Sequence, residues 1–145
     1  MSNNDRLEIE KILNDYLKAL GNEKSFFQSE ITPDFIEVGP ECETVNASQL
    51  MTPTPSDSEF TFKSGKVDFI QRIEISSDGK LAFFAFNATL IYKRRSSFFG
   101  APFKSTNFSI FSGFLKKVDE QWKLAWIQKS EKGLEDDPAL FDDEF

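Results

Sequence analysis

The chain has 145 residues, enough for one domain and too few for two of ordinary size. A hydrophobic fraction of 39% with 17 Phe excludes a disordered chain, and the lack of any long apolar run excludes a membrane-spanning helix. The formal charge of −7 sits almost wholly at one end: residues 133–145 carry six acidic and no basic side chains, leaving 17 positive against 18 negative (24 − 6 = 18) in the rest, so no face suited to nucleic acid is expected.

From the N-terminus, residues 5–20 predict an amphipathic helix. Ile9, Ile12, Leu13, Tyr16, Leu17 and Leu20 recur at spacings of three and four and share one face. Asp5 is the expected N-cap with Glu8 as its capping-box partner, and Gly21-Asn22 supplies the stop. A second helical turn is expected over Glu23–Glu30, with Phe26 and Phe27 inward, broken by Thr32-Pro33. Asp34–Val38 reads as a short strand closed by Gly39-Pro40, and Ala47–Met51 as a further helical turn capped by Asn46. The polar stretch Thr52–Ser58 is a loop rather than a domain boundary, because neither flank alone can bury a core.

From Phe60 onward the pattern changes to period two. Strands are predicted over Val67–Ser76, Leu81–Arg95, Lys104–Val118 and Gln121–Ser130, with tight turns at Ser77-Asp78-Gly79 and Asp119-Glu120. Leu81–Tyr92 is apolar on both faces: Leu81, Phe83, Ala85, Asn87, Thr89 and Ile91 on one, Ala82, Phe84, Phe86, Ala88, Leu90 and Tyr92 on the other. A meander covered by helices on one side alone should be polar on the other. The economical cover for the second face is a second copy of the chain, so a homodimer through the sheet is expected.

The single cysteine, Cys42, forms no internal disulfide, and the acidic N-terminal residues do not resemble a signal peptide. A cytoplasmic setting follows as the expectation. Sequons at Asn46, Asn87 and Asn107 are then chance matches, and the basic run Lys93-Arg94-Arg95 a solvated strand end.

The Tyr16 helix, the segment Asp-Phe-Ile-Glu-Val-Gly-Pro at 34–40 and the meander ending Gln121-Trp122-Lys123-Leu124-Ala125-Trp126 together resemble the NTF2-like superfamily. Within it the sequence is most similar to the SnoaL-like and DUF4440-type, ketosteroid-isomerase-like groups. The resemblance covers residues 5–131. It implies an α+β cone, an N-terminal helix and short helices packed on a strongly curved antiparallel sheet, enclosing an apolar pocket. One NTF2-like domain over 1–132 and a flexible acidic tail over 133–145 are expected.

The equipment of the catalytic relatives is largely missing. Tyr16 falls where the isomerase-type tyrosine would be. The base would fall at Gly39, with Glu37 and Glu41 two residues to either side, and the oxyanion-site Asp near Ser112. The chain has no His, so the acid-base route of the cyclase and dehydratase relatives is lost, and Trp126 and Gln128 stand where relatives often carry His. No metal site can be built from a lone Cys without His, and no cofactor is implied. Asp68, Arg72 and Glu74 read as a ladder of exposed ion pairs.

The expected function is therefore binding of a small apolar molecule in the cone without classical catalysis. Tyr16, Phe35, Asn87, Thr89, Ser112, Trp126 and Gln128 are the pocket candidates. Two alternatives are an enzyme that pairs Tyr16 with a carboxylate such as Glu37 or Asp68, and a protein-interaction module that uses the sheet face and acidic tail.

Overall fold

The computed structural model of the chain describes residues 3–21, 24–51, 60–95 and 102–137. Helix α1 (Asn3–Ala19) buries Ile9, Ile12, Leu13, Tyr16 and Leu17, as the spacing predicts. Each such side chain withdrawn from water contributes roughly 1.5–3 kcal/mol. The helix tightens at its end, where the N–H of Leu20 donates to Leu17 at 3.3 Å and that of Gly21 to Lys18 at 3.1 Å.

Asp5 is not the N-cap. It lies inside the first turn and reaches across to the sheet, where Oδ1 accepts from the Trp122 indole at 3.0 Å and lies 3.3 Å from Lys117 Nζ. Glu8 Oε1 likewise accepts from the Trp122 backbone at 3.4 Å. A charge-assisted tertiary contact outcompetes a local cap here.

Helix α2 (Phe26–Ser29) turns both its phenylalanines inward. Strand β1 (Ile31–Val38) starts three residues before the expected position and runs through Pro33. The β1–β6 ladder skips between Ile31 and Ile36, so a residue without an N–H leaves no gap there. Strand β2 (Thr44–Asn46) leads into α3 (Ala47–Leu50), capped by Asn46 in a complete capping box with Gln49. Four long strands follow: β3 (Phe60–Ile75), β4 (Leu81–Arg95), β5 (Pro102–Val118) and β6 (Gln121–Asp137).

The six strands form one sheet in the order β2-β1-β6-β5-β4-β3. Every pairing is antiparallel except β1 with β6, which is parallel, so the α+β sheet is mixed rather than wholly antiparallel. Irregular registers in β3–β4 and β5–β6 bend it around the helix. Gly113 sits beside one of these bends, where a Cβ would stand 2.0 Å from the Trp126 carbonyl oxygen. Strand β6 also passes the expected end at Ser130: Leu134 pairs with Asn107 and Asp137 with Lys104. Residues 133–137, assigned by sequence to a flexible tail, are therefore strand. The loop at Thr52–Ser58, the helix stop at Asn22 and the rest of the tail lie outside the described residues.

The inner face of the sheet carries the core. Phe84 stacks on Phe86 at 5.8 Å, and Phe86 on Phe111 at 5.2 Å, with Leu90, Leu115, Trp122, Leu124 and Ile127 buried around them. Among the described residues no helix is long and apolar enough to cross a membrane.

Candidate functional site

Tyr16 lies in the C-terminal half of α1, and the phenylalanines of the core set its position. Its ring meets Phe26, Phe27 and Phe111 edge-on at 6.0, 6.4 and 5.8 Å, and the residue is fully buried. A buried phenol requires a partner. It finds Glu37, whose Oε1 accepts the Tyr16 hydroxyl hydrogen. Strand alternation explains the meeting: Ile36 points outward and is 39% exposed, which turns Phe35 and Glu37 to the inner side.

Around this pair lies a cavity of about 190 Å³ lined by Tyr16, Leu20, Glu37, Tyr92, Phe111 and Lys129, with Gly39, Pro40 and Glu43 at its rim. Phe111 and Lys129 are cross-strand partners in the β5–β6 register, which places aromatic wall and ammonium side by side. Lys129 Nζ is already engaged, 3.6 Å from Glu131 and 5.8 Å from the centre of the Tyr92 ring. Lys24 is engaged as well, donating to the Ala19 carbonyl at 3.3 Å and lying over Phe27. Glu43 accepts the backbone N–H of Glu41 at 2.9 Å.

Burial pushes the Glu37 carboxyl above its ordinary value of 4.5, against the Tyr16 hydrogen bond and the fields of Lys129 and Lys24; Glu43 adds to the rise. Burial likewise lifts the Tyr16 phenol well above 10.0, with the Glu37 charge and hydrogen bond acting in the same direction. Tyr92 is pushed up to about 12, chiefly by burial. Both phenols thus stay protonated at neutral pH.

Of the residues named from sequence, Tyr16 lines the cavity, whereas Phe35 packs in the core against Phe27 at 6.3 Å. Asn87, Thr89, Ser112, Trp126 and Gln128 do not converge inside the cone. Register places them on the outer face: Ser112 stands between Ala85 and Gln128, and Trp126 stacks on outward Phe114 at 6.4 Å. Gln71 Nε2 donates to Asn87 Oδ1 at 2.5 Å, and Thr89 Oγ1 donates to Asp68 Oδ2 at 2.5 Å. Asp68, Arg72 and Glu74 are exposed on the same side, Lys66 and Arg72 lying 4.0 and 3.8 Å from Asp68 and Glu74. The expectation followed polarity, but within β4 and β5 the parity of the buried phenylalanines decides the face. By that signal Tyr92, which shares parity with Phe84 and Phe86, was findable. Lys129 was not, since no alternation marks a lysine as inward-facing. Among the described residues no group of three or more His, Cys, Asp or Glu is placed to hold a metal.

A family model described as "Protein of unknown function (DUF3804)" matches residues 4–140. No curated protein matches the chain in sequence. Several solved structures share its fold. An NTF2-like protein of unknown function from Prochlorococcus marinus is 22% identical, with a TM-score of 0.71 over 90% of this chain and 94% of that one. An NTF2-like superfamily protein from Salmonella enterica serovar Typhimurium is 18% identical, with a TM-score of 0.68 over 88% and 90%. A hexachlorocyclohexane dehydrochlorinase from Novosphingobium barchaimii is 11% identical, with a TM-score of 0.69 over 95% and 93%. At these identities the likeness establishes the NTF2-like fold and no activity.

Proposed function

The chain belongs to the DUF3804 family and has the NTF2-like fold, and from this premise we propose that it binds a small, largely apolar molecule in the cavity beneath the C-terminus of α1. The observation that carries the reading is the cavity itself, walled by Tyr16, Tyr92 and Phe111 with the carboxyl of Glu37 between them. A pocket of aromatic walls with few polar groups is the usual form of a small-molecule site. Its size sets the ligand: an apolar cavity of about 150 Å³ admits benzene, so about 190 Å³ suits a single ring with a short substituent. Phe26, Phe27, Phe35 and Phe86 are buried in the core beside it. The test is native mass spectrometry against a library of one-ring fragments, repeated with Leu20→Trp, which fills the cavity. Fragments that bind the wild type and are lost from the variant support the reading; an absence of binding to both removes it.

A second reading, a proton-transfer enzyme, is favoured by one observation, the raised carboxyl of Glu37 held by Tyr16. A base tuned upward acts more effectively near neutral pH. Deuterium incorporation into carbonyl compounds in D₂O tests it, with no rate above that of Glu37→Gln counting against it.

The homodimer belongs to the same proposal. Phe69 and Phe83 are 63% and 48% exposed on the outer face, where Phe83 lies 6.2 Å from Phe114. Sedimentation of the wild type and of Phe83→Glu tests this; a monomeric wild type excludes it. Kinship with the SnoaL-like and DUF4440-type groups and a cytoplasmic setting are further parts of the proposal, supported by the Tyr16 helix and the single cysteine.

A further inference from the structure

Glu37 is a carboxylate inside a fold, and carboxylates inside folds are paired with a cation or fully hydrogen-bonded. Its Oε1 accepts from Tyr16. Its Oε2 accepts no hydrogen bond from any described residue. Among the described residues no buried side-chain oxygen is left unsatisfied, so Oε2 keeps accessible surface, and the space beside Glu37 is the cavity. No described lysine or arginine lies within 4.0 Å of Glu37: Lys129 turns to Glu131 and the Tyr92 ring, and Lys24 to the Ala19 carbonyl and the Phe27 ring. Among the described residues the charges acting on the site are Glu37, Glu43 and Glu131 against Lys129 and Lys24, an excess of one negative. The cavity walls are three aromatic rings, whose faces attract cations.

We propose that the ligand is a small protonated amine with an apolar body of about one ring, its ammonium on the free oxygen of Glu37 and its body among Tyr16, Tyr92 and Phe111. This rests on the reading of the cavity as a small-molecule site and adds the chemical class. The incoming ammonium completes an ion pair that the fold leaves half-built, and the Tyr16 hydroxyl holds the carboxylate in place to receive it. Lys129 over Tyr92 shows that this end of the molecule already accommodates a cation against an aromatic face. The pH dependence follows from Glu37, with Tyr16, Tyr92, Lys24, Glu43, Lys129 and Glu131 the titratable groups around it. Affinity is highest where the carboxyl is ionised and the amine protonated, and falls as pH drops through the raised Glu37 value.

Three one-ring probes of equal size separate the possibilities: benzylamine, benzyl alcohol and benzoate, titrated into the full chain by calorimetry at pH 7.5. The expected order is benzylamine tightest, benzyl alcohol at least tenfold weaker and benzoate weakest. Glu37→Gln should cut benzylamine affinity at least tenfold and weaken benzylamine more than benzyl alcohol, with circular dichroism checking its fold. The wild-type comparison stands even if the variant does not fold. Benzyl alcohol or benzoate binding as tightly as benzylamine overturns the amine and leaves the cavity reading intact. Failure of all three to bind overturns both.

Discussion

Helix α1 carries an acid-to-aromatic contact at each end, and the two differ in one respect. At its N-terminal end Asp5 accepts from the Trp122 indole and is paired with Lys117 at 3.3 Å, and Lys117 in turn lies 5.4 Å from the centre of the Trp122 ring. At its C-terminal end Glu37 accepts from Tyr16, and the nearby lysines are held by other groups. The first arrangement is closed upon itself and ties the helix to β6. The second leaves a carboxylate oxygen facing a cavity. A completed pair holds a fold together, whereas an uncompleted one in a pocket has capacity left for a ligand.

The largest effect expected from breaking this contrast is at the closed end. Trp122→Ala removes a fully buried indole and should cost about 3–5 kcal/mol, read as a fall in the urea midpoint. A loss below about 1 kcal/mol would mean the latch does not hold the helix. Next is Tyr16→Phe, which leaves Glu37 without its donor and should cost about 1–3 kcal/mol at neutral pH. That loss should shrink in acid, where Glu37 is protonated; a pH-independent loss would assign it to packing instead. Asp5→Asn keeps an acceptor for the indole and removes a partly exposed ion pair, so about 0–1 kcal/mol is expected, reduced further by salt.

Glu37→Gln gives the smallest and most informative change, because it varies with pH. The carboxyl is raised above its ordinary value of 4.5, so from there to its folded value the native state keeps a proton that the unfolded chain has lost. Wild-type stability therefore falls as pH rises through that window, relative to the variant. Chemical denaturation of both proteins between pH 4 and 8 should show the variant gaining relative stability with pH. A constant difference would mean that burial does not raise the Glu37 carboxyl.

Much of this architecture is legible from residue pattern. The α1 face from Ile9 to Leu17, the Asn46 cap and the bounds of β4 follow from periodicity and cap chemistry, which act locally. What pattern misses is set by distant partners. Asp5 reads as a cap until Trp122 is brought beside it, and β6 extends past Ser130 because β5 is there to pair with it. The site divides in the same way. Tyr16 is visible from the helix face and Glu37 from its place in β1, but Tyr92, Phe111 and Lys129 gather only through cross-strand register. Asn87, Thr89, Ser112 and Gln128 mislead because polar residues in an apolar strand suit a pocket and an outer sheet face equally well, and only the parity of Phe84, Phe86 and Phe111 separates the two.

The two faces of the sheet offer rival ligand sites, the inner cavity and the outer patch of Phe83, Phe114 and Trp126, and chemical-shift mapping distinguishes them directly. With benzylamine titrated into isotopically labelled protein, shifts are predicted at Tyr16, Leu20, Glu37, Tyr92, Phe111 and Lys129. Shifts confined to Phe83, Phe114 and Trp126 would contradict the account.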